Sequence, residues 1–549
     1  MVKSIGELFG SFRKKQIGIL VLIVFGISLD IFITFNIRNL IDAITEHKPW
    51  NDVMYAGMML IVLTTFNVIF EIVQNYKWHA MRTGGVSYLR KIMFGFAIRK
   101  PASYVRKNGL GKVVATVMND VEIPAQTSVI AFPMLFANVA NLCFVMVALF
   151  FLSYQLAIIT LITLPIYYLS FNRINGKIRK NSASERKSFS KVMGEVQEKL
   201  SGLSVIKVFQ KEEYAENSFN KTVDEFQYNL NKILFLNAMG NGLTLVITQG
   251  LPIAILLFGG YLTYSGLITL GTLIAFYTFL SRLYEPIRNL SDWNLGNQRS
   301  KGIKDKLIDF MNETESESDG ENKVKSINSI EFENVSFGYE KGKNIIENFS
   351  MILERGDRLA ILGESGQGKS TILNLILKFY EVGNGRISVN GIDVKKLNKS
   401  DYYKHISILQ QEPFLFTSTI EENITFGDKP VHYSAREVAE ICRLNSLINK
   451  FPEGMNRELQ ENGFNVSGGE KQRICLARAL FKGCDLLLLD EATSALDRKT
   501  EEEFIRSLEE YLEKNNTILV AVTHKKKILD ICNKVIELDK DKTVIELGE

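Results

Sequence analysis

The chain divides into an apolar half and a charged half. Residues 16–285 hold long apolar runs, whereas residues 300–549 mix charged, polar and apolar positions. Six of the runs are close to the roughly 20 apolar residues that an α-helix needs to cross a bilayer. The pattern therefore predicts six transmembrane helices, at about 17–37, 54–75, 128–150, 154–171, 236–261 and 267–284.

Basic residues between these runs predict the orientation. Lysine and arginine cluster before the first run (Arg13–Lys15), between the second and third, and after the fourth, whereas the turns 152–154 and 263–266 carry none. Because short loops rich in lysine and arginine stay on the cytoplasmic side, both termini are predicted to be cytoplasmic. We expect a multi-pass protein of the cytoplasmic (inner or plasma) membrane whose charged half is also cytoplasmic.

The segments between the spans are not flexible linkers. Residues 76–127 and 172–235 are typical of charged helices that continue the spans beyond the membrane, and we expect coupling loops at about 111–118 and 209–217. Residues 312–329 are acidic and polar, as in a flexible linker. The predicted domains are a transmembrane domain at 1–311, a linker at 312–329 and a charged α/β domain at 330–549.

A few polar residues lie inside the predicted spans. Asp30 is the one acid singled out there, and the others are asparagines, at positions 67, 138, 141, 237 and 241. Polar groups are costly in hydrocarbon, so two interpretations stay open. They contact a substrate, or they form hydrogen bonds between helices.

Charge and cysteine content exclude several classes of protein. The net charge of +4 is too small to indicate a nucleic-acid partner. The five cysteines are scattered, without the spacing of a zinc site or of a disulfide framework. Four of them lie in the charged half, which is consistent with a reducing cytosol.

The charged half contains a phosphate-binding motif. Residues Gly363–Ser370 have the form G-x-x-x-x-G-K-S, between a predicted strand at 357–362 and a predicted helix at 371–377. In that context the loop N–H groups and the helix N-terminus bind phosphates. Lys369 is expected to reach the β- and γ-phosphates, and Ser370 to bind Mg²⁺. The chain is therefore expected to bind a nucleoside triphosphate.

Further candidates lie at strand ends. Asp490 and Glu491 end the apolar strand 486–491, where the first can hold Mg²⁺ and the second can act as general base. Gln411 ends another strand and can bind Mg²⁺ and position water. His524, after an apolar strand, can contact the γ-phosphate. Tyr339 is either a purine-stacking residue or an ordinary strand-end tyrosine.

The segment 465–473 opens a helix. Ser467 followed by Glu470 predicts a capping box. An ordinary helix start is one interpretation of this segment. The other is a second anion site, to which Gly468 and Gly469 would allow close phosphate approach.

The order of these motifs resembles that of the nucleotide-binding domain of ABC transporters, and the resemblance implies ATP and Mg²⁺ as cofactors. It implies catalytic roles for Glu491, His524 and Gln411, and metal ligation by Ser370, Gln411 and Asp490. The implied ATP-binding residues are Tyr339, Gly363, Glu364, Ser365, Gly366, Gln367, Gly368, Lys369, Ser370, Thr371, Ser467, Gly468, Gly469 and Glu470.

The apolar half resembles the six-helix domain of type IV ABC exporters, on residues 119–121, 202–209 and 269–276. The implied fold is an α-helical transmembrane bundle with long cytoplasmic extensions. An α/β P-loop nucleotide-binding domain follows, with an antiparallel β subdomain and a helical subdomain. Val466 and Glu470 depart from the usual signature Leu-Ser-Gly-Gly-Gln, which puts the phosphate contact of that segment in doubt.

The resemblance implies a half-transporter that dimerises. In this family ATP lies between the phosphate-binding (Walker A) loop of one chain, here Gly363–Ser370, and the signature of a second chain, here Val466–Glu470. A homodimer is expected, and a heterodimer stays open. The implied activity is ATP hydrolysis that drives export of a lipid, amphipathic drug or peptide by alternating access, in contact with membrane lipids. The alternative is an ATP-gated channel or regulatory receptor on the same scaffold.

Overall fold

Long helices and two β-sheets make up the protein. The computed structural model describes residues 4–313, 320–339, 343–364, 366–430, 432–493, 498–523, 525–538 and 544–547. The chain separates into two units: Met1–Arg99 with Leu110–Glu313, and Lys100–Gly109 with Thr314–Glu549.

Helices of up to 53 residues build the first unit, because its apolar runs carry few helix-breaking residues and continue into amphipathic segments. Prolines lie inside four of the helices, at positions 133, 165, 252 and 286. In chain order, and with the short helix of the second unit included as α4, the helices are α1 (Ile5–Leu8), α2 (Arg13–Thr45), α3 (Trp50–Ile98), α4 (Ala102–Asn108), α5 (Leu110–Met118), α6 (Glu122–Leu152), α7 (Tyr154–Ser201), α8 (Leu203–Val208), α9 (Glu212–Tyr264) and α10 (Leu270–Asn312).

Several helices are far longer than a membrane span. The 49 residues of α3 and the 53 of α9 correspond to about 74 and 80 Å, against an apolar bilayer core of about 30 Å. Among the described residues, three helical stretches are long and apolar enough to cross a membrane: Ile5–Thr45, Trp50–Ile98 and Leu110–Leu152. A shorter apolar helix covers Tyr154–Ile166. The spans placed on α7, α9 and α10 stay predictions.

The two predicted coupling segments differ in structure. The first coincides with α5, whereas the second covers the turn after α8 and the first residues of α9. Their role in coupling stays a prediction.

The apolar core of the first unit lies among α6, α7, α9 and α10. Leu149, Leu156, Ile255, Phe276 and Phe279 are all fully buried there. The ring of Phe279 also meets that of Phe35 on α2, with centroids 6.1 Å apart. Helix α2 therefore also packs against this core, through Phe35.

Asp42 near the end of α2 caps the start of α10. Its Oδ1 accepts a hydrogen bond from the Gly271 N–H at 2.9 Å, and its Oδ2 accepts one from the Thr269 hydroxyl at 3.0 Å. A Cβ on Gly271 would lie 2.4 Å from Asp42 Oδ1 and 2.5 Å from the Arg38 carbonyl oxygen. Glycine is therefore required at 271 for this close approach.

Two sheets form the second unit, and they confirm the expected α/β domain with an antiparallel subdomain. One is antiparallel, in the order β2-β1-β4-β5; the other has the order β10-β9-β3-β8-β7-β6 and is parallel except for β10. The strands are β1 (Ser329–Phe337), β2 (Ile346–Glu354), β3 (Arg358–Gly363), β4 (Asn384–Val389), β5 (Ile392–Asp393), β6 (Ile406–Leu409), β7 (Leu486–Asp490), β8 (Ile518–Val522), β9 (Lys534–Leu538) and β10 (Val544–Leu547).

The helices of this unit cover the six-stranded sheet and form a helical subdomain. One apolar core packs strands β1–β3 against helix α11 (Lys369–Ile376). A second apolar core packs the helical subdomain against β7 and β8. The helices are α11 (Lys369–Ile376), α12 (Lys399–Lys404), α13 (Ile420–Thr425), α14 (Ala435–Ile441), α15 (Asn445–Ile448), α16 (Gly468–Lys482), α17 (Arg498–Asn515) and α18 (Lys526–Leu529).

Candidate nucleotide site

The site lies where parallel strands of the larger sheet end. β8 pairs with both β3 and β7, so that Val522 is level with Ile361 on one side and with Asp490 on the other. The carboxyl edge of a parallel sheet is the usual place for ligand binding in such folds. The phosphate-binding loop after β3 and the two acids after β7 are therefore held at one edge.

The loop between β3 and α11 turns through left-handed glycines. Gly366 has φ 88° and Gly368 has φ 93°, a backbone region that side chains disfavour. A Cβ on Gly368 would lie 2.8 Å from Cγ2 of Ile345. Helix α11 begins directly after this turn, so its free N–H groups face the loop.

Lys369 lies under the loop. Its Nζ donates hydrogen bonds to the carbonyl oxygens of Gly363 at 2.6 Å and Glu364 at 2.9 Å, and the residue is buried. Burial lowers the pKa of Lys369, while the carboxylates of Glu491 and Asp490 act in the opposite direction. The ammonium group is thus held in the phosphate loop with two acids nearby.

Ser370 and Asp490 supply hard oxygen ligands to one point. The Ser370 hydroxyl donates to Asp490 Oδ1 at 3.3 Å. A hydroxyl and a carboxylate are ligands that suit Mg²⁺, which also keeps several waters. The two side chains fit the metal that the motif implies.

Gln411 contacts the candidate general base. Its Nε2 donates to Glu491 Oε2 at 2.8 Å, and the Glu491 N–H donates to the Val522 carbonyl oxygen at 2.9 Å. Glu491 has φ 49°, which is uncommon for a residue with a side chain and frequent at functional sites. The structure thus brings together two of the three predicted catalytic residues.

Tyr339 lies beside helix α11, which follows the phosphate-binding loop, and its ring packs against two other aromatic rings. Its hydroxyl is 3.2 Å from the Thr371 hydroxyl, and about half of its surface is exposed. The rings of Phe337 and Tyr380 meet it edge-on, with centroids 5.2 and 4.9 Å away. Sequence reasoning missed Tyr380, because nothing in the sequence near position 380 marks it as a neighbour of Tyr339.

The predicted capping box is present at α16, which begins at Gly468, directly after the predicted N-cap Ser467. Glu470 N–H donates to Ser467 Oγ at 3.3 Å, and Glu470 Oε2 accepts from both the N–H and the hydroxyl of Ser467 at 2.8 Å. The carboxylate therefore lies against the serine of the signature segment.

Comparison with known proteins decides the family. The sequence model of the ABC transporter transmembrane region matches residues 17–287, and that of the ABC transporter itself matches residues 346–494. The chain belongs to the ABC transporter family. This transporter is a membrane-embedded, ATP-binding exporter in which ATP hydrolysis drives transport.

Relatives match the transporter along nearly its whole length. The putative multidrug export ATP-binding/permease protein YgaD of Bacillus subtilis is 29% identical over 97% of this chain and 94% of the relative. The ATP-dependent lipid A-core flippase of Legionella pneumophila (strain Philadelphia 1) is 27% identical over 91% and 84%. A bacterial Atm1-family ABC exporter solved with ATP bound has the same fold, with a TM-score of 0.80, 22% identity and coverage of 96% and 94%.

Two predicted residues of the transporter's ATP site lie outside the described residues: Ser365 and His524. The flanking residues are described. Lys525 Nζ donates to the Thr493 carbonyl oxygen at 2.7 Å and lies 3.0 Å from Glu501 Oε1. This contact joins the loop after β8 to the loop after β7.

Polar residues in the transporter's apolar half form contacts between helices. Asn67 Nδ2 donates to Asp30 Oδ1 at 3.1 Å, and Arg282 Nη1 lies 2.6 Å from Asp30 Oδ2. Asn289 donates to Asn138 Oδ1 at 3.4 Å. Sequence reasoning did not single out Arg282, although a lone arginine at the end of the sixth apolar run was the available signal.

Proposed function

We propose that the transporter works as a homodimer that exports amphipathic molecules and hydrolyses Mg²⁺-ATP at two equivalent sites. The half-transporter fold implies dimerisation. One chain carries one Walker A loop and one signature, so a second copy supplies the complement of each by symmetry. The observation that carries the proposal is the grouping of Lys369, Ser370, Asp490, Glu491 and Gln411 at one sheet edge.

Each residue of that edge has a role in the proposed reaction. Lys369 and the loop N–H groups bind the phosphates, and Tyr339 stacks on the adenine. Glu491 takes the proton from the attacking water. Gln411, bonded to Glu491, orients that water, and His524 contacts the γ-phosphate. Mg²⁺, when bound to Ser370, Gln411 and Asp490, neutralises phosphate charge.

The proposed orientation places both termini and the ATPase half in the cytoplasm, and the bundle in the cytoplasmic membrane. Its support is the bias of lysine and arginine toward the loops on one side. Closure of the ATPase dimer on ATP would then move the helices between inward- and outward-open states. The relatives named as multidrug exporters and lipid A-core flippases support an amphipathic substrate.

The Glu491→Gln variant tests the site. Loss of the general base is expected to lower ATPase turnover about 100-fold or more, while ATP binding persists because the phosphate contacts remain. Turnover is measured by phosphate release from protein in nanodiscs, and binding by retention of a fluorescent ATP analogue.

Glu537→Gln is the matched control, since Glu537 lies exposed on β9. It is expected to hydrolyse ATP at the parent rate. Turnover of Glu491→Gln equal to that of Glu537→Gln would remove Glu491 from the proposed role.

A further inference from the structure

An ion pair lies within the apolar zone of the bundle. Arg282 on α10 contacts Asp30 on α2 at 2.6 Å, and the other carboxylate oxygen of Asp30 accepts from Asn67 on α3. Asp30 lies 15 residues before the end of α2, and Arg282 lies 12 residues after the start of α10. Asp30 lies within the predicted span 17–37, and Arg282 lies within the predicted span 267–284, near its end.

The pair is accessible rather than sealed. The side chains of Arg282 and Asp30 keep 38% and 26% of their surface exposed, whereas Asn67 beneath them is buried. The exposed face of α10 also carries Tyr277, Ser281 and Glu285, each four residues apart and therefore on one side of the helix. A face that carries an acid and two hydroxyls is costly to place against lipid tails, which favours contact with a polar group.

We propose that the Asp30–Arg282 pair selects substrates whose polar head carries both a positive and a negative charge. The inference rests on the proposed export of amphipathic molecules and names their class. A guanidinium has five N–H donors in a planar fork, so Arg282 can bind an anionic group while Asp30 binds a cationic one. A head group with only one charge would pair with either Asp30 or Arg282 and leave the charge of the other residue unpaired. An unpaired charge in a site of low polarity is costly.

Three probes with a 12-carbon chain test this selection. Dodecylphosphocholine carries both charges, dodecyl phosphate is anionic, and dodecyltrimethylammonium is cationic. Binding to the transporter in phosphatidylglycerol nanodiscs is measured without nucleotide, by competition against a fluorescent zwitterionic lipid. Stimulation of ATPase turnover by each probe is measured in parallel. The parent is expected to bind dodecylphosphocholine about tenfold more tightly than either singly charged probe.

Single neutralisations give opposite results if the pair selects charge. Asp30→Asn is expected to shift the preference toward dodecyl phosphate by about tenfold, and Arg282→Gln toward dodecyltrimethylammonium by a similar factor. The exchanged variant Asp30→Arg with Arg282→Asp should keep the preference for dodecylphosphocholine, and it covers the case in which a single variant fails to fold.

Asp120→Asn is the matched control. It breaks an ion pair between the turn that precedes α6 and Lys306 on α10, outside the predicted spans. An unchanged order of the three probes in both Asp30→Asn and Arg282→Gln would overturn the inference. ATPase stimulation that persists with such an unchanged order would leave the proposed export intact, whereas loss of all stimulation in the parent would contradict export itself.

Nanodiscs of phosphatidylethanolamine, a zwitterionic lipid, distinguish a membrane lipid from a soluble amphiphile as the natural ligand. Weaker binding of dodecylphosphocholine in that bilayer supports a membrane lipid as the natural ligand. Equal binding in the two bilayers supports a soluble amphiphile that carries the same two charges.

Discussion

A single carboxylate changes the chemistry of the signature segment. Glu470 stands where the family has glutamine, and its Oε2 holds the Ser467 N–H and hydroxyl, both at 2.8 Å. The proposed dimer brings a γ-phosphate of the partner's nucleotide to this helix start. The helix N-terminus attracts that phosphate, but the nearby negative charge repels it.

Glu470→Gln is therefore expected to lower the KM for ATP about three- to fivefold, because glutamine keeps the capping hydrogen bond and removes the charge. The effect should shrink as ionic strength rises, since salt screens exposed charges. Steady-state ATPase turnover against ATP concentration, at two salt concentrations, provides the measurement.

A second capping box supplies the control. Ser434 and Glu437 at the start of α14 make the same pair of hydrogen bonds as Ser467 and Glu470. Glu437→Gln should leave the KM unchanged. Equal KM values in the two variants would show that the charge at 470 does not act on the nucleotide.

For single residues, the sequence predicts those roles that follow from a local pattern. The capping box at Ser467 needs only two residues three positions apart, and it is present. The contact between Gln411 and Glu491, 80 residues apart, and that between Tyr339 and Tyr380 depend on the fold. No local pattern encodes such contacts, so only the coordinates reveal them.

Among the elements, α2 and α10 are joined at their ends by Asp42. Its carboxylate accepts from the Gly271 N–H and the Thr269 hydroxyl, and the side chain is largely buried. A start of α10 that lacked this acceptor would leave a buried N–H without a partner. The ion pair between Asp30 and Arg282 joins the same two helices farther along.

Asp42→Ala is expected to lower the free energy of unfolding by about 1–2 kcal/mol, with a smaller loss in Asp42→Asn, which keeps an acceptor oxygen. Thermal unfolding in nanodiscs, followed by circular dichroism, measures the loss. Asp52→Ala, at an exposed position in the first turn of α3, is the control. A similar loss in Asp52→Ala and Asp42→Ala would contradict the capping role.

Element boundaries show what periodicity can and cannot predict. The strand that the leucine run predicts at 486–491 ends one residue earlier, at Asp490, because Glu491 has φ 49° and leaves the extended conformation. Helix α16 begins at Gly468, directly after the N-cap Ser467 that the capping box predicts. The sequence does not predict the capping role of Asp42, because its hydrogen-bond partners are more than 220 residues away.

For the whole molecule, the proposed homodimer makes a prediction about mixed dimers. Lys369→Ala inactivates the Walker A loop, and Gly468→Asp inactivates the signature. If each site takes one part from each chain, a dimer of the two variants has one intact site. Co-expressed in equal amounts, they should recover up to about a quarter of the parent ATPase activity, since half of the dimers are mixed and each has one of two sites.

Differently tagged subunits and tandem purification isolate the mixed dimer for this assay. The control places both substitutions in one chain and pairs it with a parent chain, which leaves no intact site. Activity in that control, or none in the mixed dimer of single variants, would contradict sites shared between chains.

The length of α3 has a mechanical consequence. The helix runs for 49 residues, about 74 Å, with no proline inside it, so about 40 Å projects beyond an apolar core of about 30 Å. Such a rod acts as a lever with its pivot in the bilayer. A tilt of about 5° carries its far tip about 3.5 Å, longer than a hydrogen bond, while residues at the pivot hardly move. Small rotations within the bundle are thus converted into large displacements at the tip.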